Sequence, residues 1–579
     1  MSILSQFHPY TKGCRRFILL GVLCSGAEAI FELLIPLTMG DIVDVGIAQG
    51  DQGYILQKGL LMLLLAALAL LLGLGSAIFS SRAGLGFGAK LRQSAFDHIQ
   101  SFSFRNIEKF STASLVTRLT TDVNIVQMTL MQSMRLLVRA PVMLLSALFL
   151  SLRLSRDLSR VFLVALPLLA VVAGLLLSRV GPMFRTLQEK TDALNLVVQE
   201  NLKGIRVVKS FVREAGETEK FREKNRDLKA VSLRSFGAVV MNMPLMMLIV
   251  YGTIIAVLWF GGRMVYFGSL PVGKLTTFFT YIMQICMSLM MVSMIFMMLT
   301  RSAACARRVL EVLEETPAIA DEGDPALEVE SGEIEFRQVS FRYHESDSEE
   351  VLQDLSIHIP SGATVGILGA TGSGKSSFAS LIPRLYEAQK GEVLVGGRPV
   401  RDYSLHKLRE AVSMVLQQNT LFSGSIRENL LWGKPEGSQE ELESACRAAC
   451  CEEFLAQLPQ GLDTDLSQGG VNVSGGQKQR LCLARAILKQ PKILILDDST
   501  SAVDTATDAK IRAALRTSLP GCTKLIIAQR VSSIWDADLI LVLDQGRLLA
   551  QGTHEALMER CEVYREIYSS QQEGGKLHG

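Results

Sequence analysis

The order of apolar and polar positions divides the chain into two contrasting halves. Four runs within the first 300 residues contain no charged side chain: 59–81, 161–178, 235–262 and 275–300. A bilayer core about 30 Å thick requires roughly 20 apolar residues in a helix. Together with two weaker runs, they predict six membrane-spanning helices, at about 17–39, 56–81, 129–152, 160–178, 237–262 and 275–300.

Two of the segments between these spans, 82–128 and 179–234, are long, charged and helical in composition, and they contain many Lys and Arg residues. An excess of basic residues marks the cytosolic side of a membrane protein. We therefore expect a multi-pass plasma-membrane protein with a cytosolic N-terminus and helices that extend into the cytosol. Three arginines in a predicted external connection oppose this orientation but are outweighed by the two long segments: Arg153, Arg156 and Arg160.

Two pairs of charges lie within the weaker spans at i,i+4 spacing, Glu28 with Glu32 and Arg135 with Arg139. Charged residues at membrane depth usually face the interior of a helix bundle. One interpretation is a structural ion-pair cluster that ties the first and third spans together near the cytosolic side. The other is that the Glu pair lines a substrate cavity and favours cations. The last two spans are rich in methionine, which suits either an adaptable binding surface or ordinary packing. These methionines include Met243, Met283, Met287, Met291 and Met297.

The second half begins after a linker punctuated by Pro and Gly, 316–330. A strand-like apolar run, 363–368, leads into the loop G-A-T-G-S-G-K-S and then into a helix-like stretch. Glycines let backbone N–H groups converge on phosphates, while Lys375 adds a positive charge and Ser376 a hydroxyl for Mg²⁺. Strand, loop and helix together predict a site for a nucleoside triphosphate. Its residues are Gly369, Thr371, Gly372, Ser373, Gly374, Lys375, Ser376 and the following Ser377.

Three further features fit such a site. The apolar run 493–496 ends in Asp497, which we expect at the carboxyl end of a buried strand beside Lys375, where it would help to hold Mg²⁺. A second anion site is predicted where Ser474, Gly475, Gly476 and Gln477 open a helix. Since the chain has one phosphate-binding loop, this second site indicates dimerisation. Tyr343, after a strand-like run, either stacks on adenine or is a buried strand residue.

Composition and charge limit the kinds of protein that this chain can be. A net charge of +2 without a dense basic stripe gives no indication of nucleic-acid binding. The mean hydropathy of +0.28 exceeds what a wholly soluble chain needs. Ten cysteines are scattered except for Cys446, Cys450 and Cys451, and we expect thiols in a reducing compartment. The N-terminal residues lack a signal-peptide pattern, so we expect no cleaved signal.

These motifs, in this order and with Gln417 and Ser501–Asp504, resemble the ATP-binding cassette of ABC transporters. With the six predicted spans, essentially the whole chain resembles one half of an ABC exporter of the type I exporter, or type IV transporter, fold. The resemblance implies a six-helix all-α transmembrane domain at 1–315 with long cytosolic helical extensions. A linker at 316–330 and an α/β P-loop nucleotide-binding domain with a helical subdomain at 331–579 would follow.

The resemblance also implies ligands and roles. ATP and Mg²⁺ would be bound, with Ser376, Gln417 and Asp497 as the metal ligands. Asp504 would belong to the D-loop. The signature at Ser474–Gln477 would face ATP held by a partner subunit in a head-to-tail pair, although Val473 stands where the family usually has Leu. Residues 110–122 and 200–209 resemble the two intracellular loops whose short tips dock onto the cassettes. The implied catalytic positions are Asp498, Gln529 and Gln417.

Two of these catalytic positions depart from the family. Asp498 stands where the family has a glutamate that polarises the attacking water, and Gln529 stands where it has a switch histidine. An aspartate withdraws its carboxylate by about 1.5 Å, one C–C bond, and a misplacement of about 1 Å can cost on the order of 10²-fold in rate. Glutamine donates a hydrogen bond but carries no charge. Together the changes predict slow or absent hydrolysis at this chain's own site.

We therefore expect the degenerate-site subunit of a heterodimeric multidrug exporter in the lipid bilayer, whose partner half-transporter carries the consensus Glu and His. Its substrates would be small, amphipathic or drug-like molecules. A homodimeric lipid or peptide exporter and a nucleotide-sensing regulatory subunit remain alternatives. The homodimer would be fully active without a second polypeptide, whereas the heterodimer would hydrolyse ATP only as a pair.

Overall fold

The structure is a computed structural model that describes residues 6–343, 349–498 and 504–576. Some side chains within these ranges lie outside the description: 173, 176, 177, 180, 239, 242, 243, 293, 296, 297, 505 and 573–576. The chain forms two compact units. One contains Met1–Gln100 and Thr112–Glu315, and the other contains Ser101–Ser111 and Thr316–Gly579. A short segment of the first half therefore belongs to the second unit.

The first half is helical. Its helices are α1 (Arg15–Asp41), α2 (Gln52–Gln100), α3 (Phe104–Phe110), α4 (Thr112–Thr117), α5 (Val123–Leu154), α6 (Arg156–Ser159), α7 (Phe162–Lys203), α8 (Ile205–Ser210), α9 (Glu214–Tyr266) and α10 (Val272–Glu314). A π-helical segment, Ile42–Ile47, continues α1, and another, Arg118–Asp122, leads into α5.

Five described helical stretches are long and apolar enough to cross a membrane: Arg15–Ile47, Gln52–Gln100, Thr112–Leu154, Pro244–Tyr266 and Val272–Val292. Each contains or overlaps one of the predicted spans. The other predicted span, 160–178, lies in α7, where several side chains are outside the described part of the chain. Helices α2 and α9 are 49 and 53 residues long, far more than the roughly 20 residues that a bilayer requires.

Within the first unit, specific contacts hold α10 against α1 and the π-helical segment that continues it. Tyr281 is fully buried, and its hydroxyl donates to the carbonyl of Leu33 at 2.8 Å. The two helices approach closely where a Cβ atom on Gly273 would lie 2.2 Å from the Gly40 carbonyl oxygen. The carboxylate of Asp44 accepts hydrogen bonds from the N–H groups of Gly273 and Lys274 at 2.5 and 2.9 Å. These otherwise unpaired N–H groups at the start of α10 are thereby satisfied.

The second unit is built from strands and shorter helices. Its strands are β1 (Ile334–Phe341), β2 (Leu352–Ile359), β3 (Thr364–Leu368), β4 (Lys390–Val395), β5 (Arg398–Pro399), β6 (Val412–Val415), β7 (Gly424–Ser425), β8 (Asp465–Leu466), β9 (Ile493–Asp497), β10 (Thr523–Ile527), β11 (Leu539–Asp544) and β12 (Arg547–Gly552). Its helices after α3 are α11 (Lys375–Leu381), α12 (Leu405–Ala411), α13 (Ile426–Leu431), α14 (Gln439–Ala448), α15 (Glu452–Leu455), α16 (Gly475–Leu488), α17 (Thr505–Ser518), α18 (His554–Arg560) and α19 (Glu562–Lys576).

Three sheets organise this unit. The largest has the order β12-β11-β3-β10-β9-β6 and is parallel except for β12. Strands β9 and β10 are buried at every position, including Lys524 and Asp497, as expected for strands covered on both faces. A four-stranded antiparallel sheet has the order β2-β1-β4-β5, and β7 pairs with β8.

Helix α3 belongs to the second unit because several of its side chains bond there. The amide of Asn106 donates to the Thr316 carbonyl, and its oxygen accepts from the Ala318 N–H, both at 2.9 Å. The hydroxyl of Tyr386 donates to Glu108 at 2.8 Å. Burial and Glu108 together raise the pKa of Tyr386. These contacts involve residues that precede the 110–122 motif singled out in the sequence.

Candidate functional site

The carboxyl ends of four parallel strands meet at one edge of the large sheet. Strands β3, β10, β9 and β6 are neighbours, and Ile527 at the end of β10 pairs with both Ile367 and Asp497. Ligands of open parallel sheets bind at this edge. The loop Gly369–Ser376 follows β3, and Asp497 closes β9. Gln417 lies after β6 and Gln529 after β10, so the sheet topology delivers four separate sequence motifs to one place.

The loop after β3 has a backbone that only particular residues allow. Gly372 and Gly374 have φ values of 86° and 92°, in the left-handed region that favours glycine. A Cβ atom on Gly369 would lie 2.2 Å from the Leu543 carbonyl oxygen, and one on Gly374 would lie 2.6 Å from the Leu352 side chain. The loop ends at the N-terminus of α11. Backbone N–H groups in such a loop and helix start form a concave anion site.

Lys375 is held against the loop that it follows. Its ammonium group donates to the carbonyl oxygens of Gly369 at 2.9 Å and Ala370 at 2.8 Å. Burial lowers the pKa of Lys375, whereas the nearby carboxylates of Asp497 and Asp498 oppose this shift. The lysine is therefore placed as a positive charge beside the N–H groups that would surround phosphates.

Asp497 and Ser376 form an oxygen-rich corner of the same site. Asp497 is 6% exposed. Burial raises its pKa, while a hydrogen bond from Ser376 and the charge of Lys375 oppose the rise. Carboxylate and hydroxyl oxygens, together with substrate phosphates, are the ligands that Mg²⁺ takes in phosphate-binding sites. Both residues, and Gln417 in the same cavity, therefore fit a Mg²⁺ ion, which would add positive charge beside the phosphates.

The two residues that depart from the family pattern contact each other. The amide nitrogen of Gln529 donates to Oδ2 of Asp498 at 3.1 Å. Asp498 has a φ of 49°, and its N–H donates to the Ile527 carbonyl at 3.0 Å. Burial raises the pKa of the Asp498 carboxyl, and the neighbouring Asp497 adds to this rise. Both the backbone and the side chain of Asp498 are thus held towards the end of β10.

Tyr343 lies two residues beyond β1 at another wall of the site. Its hydroxyl is 2.7 Å from the hydroxyl of Ser377. Its ring packs edge-on against Phe341 and Tyr386, with centroid distances of 5.0 and 5.1 Å. The ring is therefore held in place and also reaches the cavity. This position suits stacking on a nucleotide base, which stays a prediction.

A cavity of about 310 Å³ collects most of the predicted site residues. Those that line it are Tyr343, Thr371, Gly372, Ser373, Gly374, Lys375, Ser376, Ser377, Gln417, Asp497, Asp498 and Gln529. Val351, Ile527 and Ala528 also line it, although no motif marks them. Val351 reaches the cavity because the segment before β2 packs against the loop at Gly374. Gly369 adjoins the cavity through the Lys375 hydrogen bond.

The predicted signature residues lie elsewhere in the second unit. Ser474 caps α16, with the Gln477 N–H donating to the Ser474 hydroxyl at 3.3 Å and the Ser474 N–H donating to the Gln477 side chain at 2.9 Å. Ser474, Gly475, Gly476 and Gln477 are not among the residues lining the cavity. Asp504 accepts from the N–H and hydroxyl of Thr507 at 2.9 and 2.7 Å, which lowers its pKa. Ser501–Val503 lie outside the described residues.

The helical unit contains a second cavity, of about 620 Å³, between α1, α5 and α10. It is lined by Ser25, Glu28, Glu32, Gln132, Arg135, Leu136, Arg139, Met143, Thr280, Met283, Gln284, Met287, Ser288 and Met291. Arg139 donates to Glu28 at 2.6 Å and to Glu32 at 2.5 Å. The ion-pair interpretation of these charges is therefore confirmed for Arg139, and the Glu pair also lines the cavity. The side chains of Met243 and Met297 lie outside the described part.

Comparison with known proteins gives a consistent result for both units. Residues 18–289 match the family model described as "ABC transporter transmembrane region", and residues 352–501 match the one described as "ABC transporter". An uncharacterized ABC transporter ATP-binding protein, YfiB, of Bacillus subtilis is 38% identical over 94% of both chains. The uncharacterized Rv1273c of Mycobacterium tuberculosis is 35% identical over 98% of both chains.

Two further similarities concern an exporter and a solved structure. The multidrug efflux ATP-binding/permease protein Rv0194 of Mycobacterium tuberculosis is 33% identical over 97% of this chain, which spans 47% of that relative. A structure of a bacterial Atm1-family ABC exporter with ATP bound superimposes with a TM-score of 0.77 at 26% identity, covering 97% of this chain and 98% of the other. The predicted fold class, a helical transmembrane domain followed by an α/β nucleotide-binding domain, is thereby confirmed.

Proposed function

The chain belongs to the ABC transporters, as a multi-pass half of an ATP-driven exporter, and on this premise we propose that it is the degenerate-site subunit of a heterodimer. In this role it binds ATP at its own cavity, turns it over slowly, and completes a competent site on a second half-transporter. The proposal rests on one observation above all, the hydrogen bond between Asp498 and Gln529.

The pair of Asp498 and Gln529 opposes catalysis through the length of the aspartate, through the hydrogen bond itself and through the missing charge of the glutamine. A general base must reach the water that it activates, and the Asp498 carboxylate is one carbon shorter than the glutamate of the family. The Gln529 amide also occupies one of its oxygens at 3.1 Å. Gln529 in turn spends a donor on this contact, and its neutral amide adds no positive charge where negative charge develops in the transition state. A Mg²⁺ ion held by Ser376, Gln417 and Asp497 would be compatible with tight ATP binding all the same.

The signature favours pairing with a second half-transporter. Ser474–Gln477 keep the Ser-Gly-Gly-Gln pattern and the capping box, yet they do not line the chain's own cavity. A head-to-tail partner would place its ATP against this helix start, where free N–H groups favour phosphate. If that partner carries Glu and His at the two departing positions, the pair contains one competent and one degenerate site.

A further surface fits a second subunit. The tip formed by α8 and the residues after it exposes Val207, Phe211 and Val212. This tip overlaps the end of the 200–209 motif that resembles an intracellular loop and continues just beyond it. Apolar side chains clustered at an exposed tip mark a contact surface for another protein. We assign the tip to the cytosol, together with the N-terminus and the nucleotide-binding unit, because Lys and Arg are abundant in 82–128 and 179–234. The membrane would be the plasma membrane.

The proposal is tested with ATPase assays on the chain purified alone in lipid nanodiscs. We expect the double variant Asp498→Glu, Gln529→His to hydrolyse ATP at least tenfold faster than the native chain, since it restores reach and charge. Adding Lys375→Ala to the double variant should abolish the gained activity and so exclude a contaminating ATPase.

Each alternative predicts a different outcome. Fast hydrolysis and transport by the native chain alone would favour a homodimeric exporter and contradict the degenerate site. Hydrolysis by a heterodimer without vectorial transport of any compound would instead favour a nucleotide-sensing regulatory subunit. The proposed substrates, small amphipathic or drug-like molecules, are suggested by the multidrug efflux relative and by the cavity in the helical unit.

A further inference from the structure

Four charged side chains line the cavity between α1, α5 and α10, and they do not all have an ion-pair partner. Glu28, Glu32, Arg135 and Arg139 all line it, so its formal charge is zero. Arg139 is shared between both carboxylates, with Nη1 at 2.6 Å from Glu28 and Nη2 at 2.5 Å from Glu32. Each carboxylate therefore has a guanidinium partner in direct contact. Charge-assisted hydrogen bonds of this kind are the strongest that side chains form.

Arg135 lies one helical turn from Arg139 and lines the same cavity without such a partner. Among the residues that the structure describes, no carboxylate, carbonyl or aromatic ring pairs with its guanidinium group, and the contact that Arg135 makes to α1 is through its backbone carbonyl, which accepts from the Ser25 hydroxyl at 3.0 Å. A guanidinium offers five donors in a planar fork that matches carboxylate and phosphate oxygens. At membrane depth, an ionised group without a partner points to a ligand or a pathway.

Gln284 provides a second polar group that lacks a partner. Its side-chain oxygen is buried and accepts no hydrogen bond within the described residues. A buried acceptor that stays unpaired is unfavourable, so a ligand with an N–H or O–H group would gain by pairing with it. The remaining wall is apolar and adaptable, because Met143, Met283, Met287 and Met291 line it.

From these features we propose that the cavity binds amphipathic anions: molecules with an apolar body, one carboxylate, sulfonate or phosphate group for Arg135, and a hydrogen-bond donor for Gln284. This inference rests on the proposed export function and specifies its substrate class. It is opposed to the expectation that the Glu pair selects cations, because Arg139 already pairs with both carboxylates. A volume of about 620 Å³ accommodates a body the size of a naphthalene ring system with a short polar arm.

The test uses four probes that share the same apolar naphthyl body. Their binding to the full chain in nanodiscs is measured by naphthyl fluorescence. They are 2-naphthoylglycine (an anion with an amide N–H), 2-naphthoylglycinamide (neutral), the corresponding 2-(trimethylammonio)ethyl amide (a cation) and 2-naphthoylsarcosine (an anion without the N–H). We expect the glycine acid to bind at least tenfold more tightly than the neutral and cationic probes, which is the effect of one charge-assisted hydrogen-bonded pair.

Three variants assign the effect to residues. Arg135→Gln should weaken binding of 2-naphthoylglycine at least tenfold and leave the neutral probe unchanged, and Arg135→Lys should restore part of the preference. Arg153→Gln is the control, because that arginine is on the same helix but does not line the cavity. Gln284→Leu should remove the preference for the glycine acid over the sarcosine acid.

The outcomes separate this inference from the degenerate-site proposal, since binding to the chain requires no ATP hydrolysis. The inference is overturned if the anion, the neutral probe and the cation bind with equal affinity. It is likewise overturned if none of the four probes binds. It is also overturned if the cation binds best and Glu28→Gln with Glu32→Gln removes that binding. If anion binding depends on Arg135 but no anion is transported by the heterodimer into inside-out vesicles, the anion site stands and the proposed export function fails.

Discussion

At the scale of a single residue, the buried carboxylate of Asp497 suits the proposed Mg²⁺ site but lowers the stability of the fold when it is ionised. Its carboxyl group is nearly buried, and burial raises its pKa above the ordinary value of 3.8. A raised pKa means that the folded protein holds the proton more tightly than the unfolded chain does. The stability that this group contributes is therefore present at low pH and is lost as the pH rises through the folded-state pKa. At neutral pH the ionised carboxylate weakens the nucleotide-free fold.

We expect Asp497→Asn to raise the melting temperature of the nucleotide-free protein at about pH 7.5 and the gain to shrink as the pH approaches about 4, where an aspartate is protonated. Differential scanning fluorimetry in detergent at a series of pH values measures both. Asp544→Asn, at an exposed position ending β11, is the matched control and should show neither effect. A lower melting temperature for Asp497→Asn at neutral pH would mean that the attraction of Lys375 outweighs the burial.

At the scale of an element, the start of α16 combines a structural and a proposed functional role. Ser474 and Gln477 form a capping box there, and Ser438 and Glu441 form an equivalent one at the start of α14. Replacing an N-cap serine with alanine typically costs about 1 kcal/mol of folding free energy. The two caps are therefore matched in structure, whereas only Ser474 would face the partner's ATP.

Ser474→Ala and Ser438→Ala should lower the free energy of unfolding by a similar amount, about 1 kcal/mol each, because each loses one cap. Only Ser474→Ala should lower the ATPase rate of the heterodimer, by at least tenfold, since it removes a donor from the transition state. Chemical denaturation and ATPase assays on the same preparations measure the two effects. If both variants lost activity equally, the loss would reflect the stability of the helical subdomain.

At the scale of the whole molecule, orientation in the membrane is the property that the charge pattern predicts. Arg156 lies in a connection expected outside the cell, and Glu223 lies in a long segment expected in the cytosol; both side chains are exposed. We expect a membrane-impermeant maleimide to label Arg156→Cys in intact cells, whereas Glu223→Cys should be labelled only after the membrane is opened. The parent chain with its ten native cysteines gives the background. The reverse pattern would invert the topology and remove the cytosolic site for ATP.

Much of the fold follows from features that are local in the sequence. Apolar runs of bilayer length predict the spans because a helix in lipid must satisfy its own backbone hydrogen bonds. The loop with Lys375 predicts its own strand and helix, and the apolar run before Asp497 predicts a buried strand. The family resemblance supplies the order of the remaining motifs. It therefore predicts that Gln417 and Gln529 lie near the loop, although neither residue is recognisable alone.

Other properties depend on which surfaces meet, and these become known only from the packed fold. By spacing alone, Arg135 and Arg139 are equivalent partners for the Glu pair, but the rotation of α5 gives both carboxylates to Arg139 and leaves Arg135 facing the cavity. Asp498 and Gln529 meet because β9 and β10 are paired in register. The elements and the chemistry that they carry follow from the sequence alone, since those arise from neighbouring residues. The partners of the charged groups were decided by long-range packing, because every such contact depends on the positions of two distant segments at once.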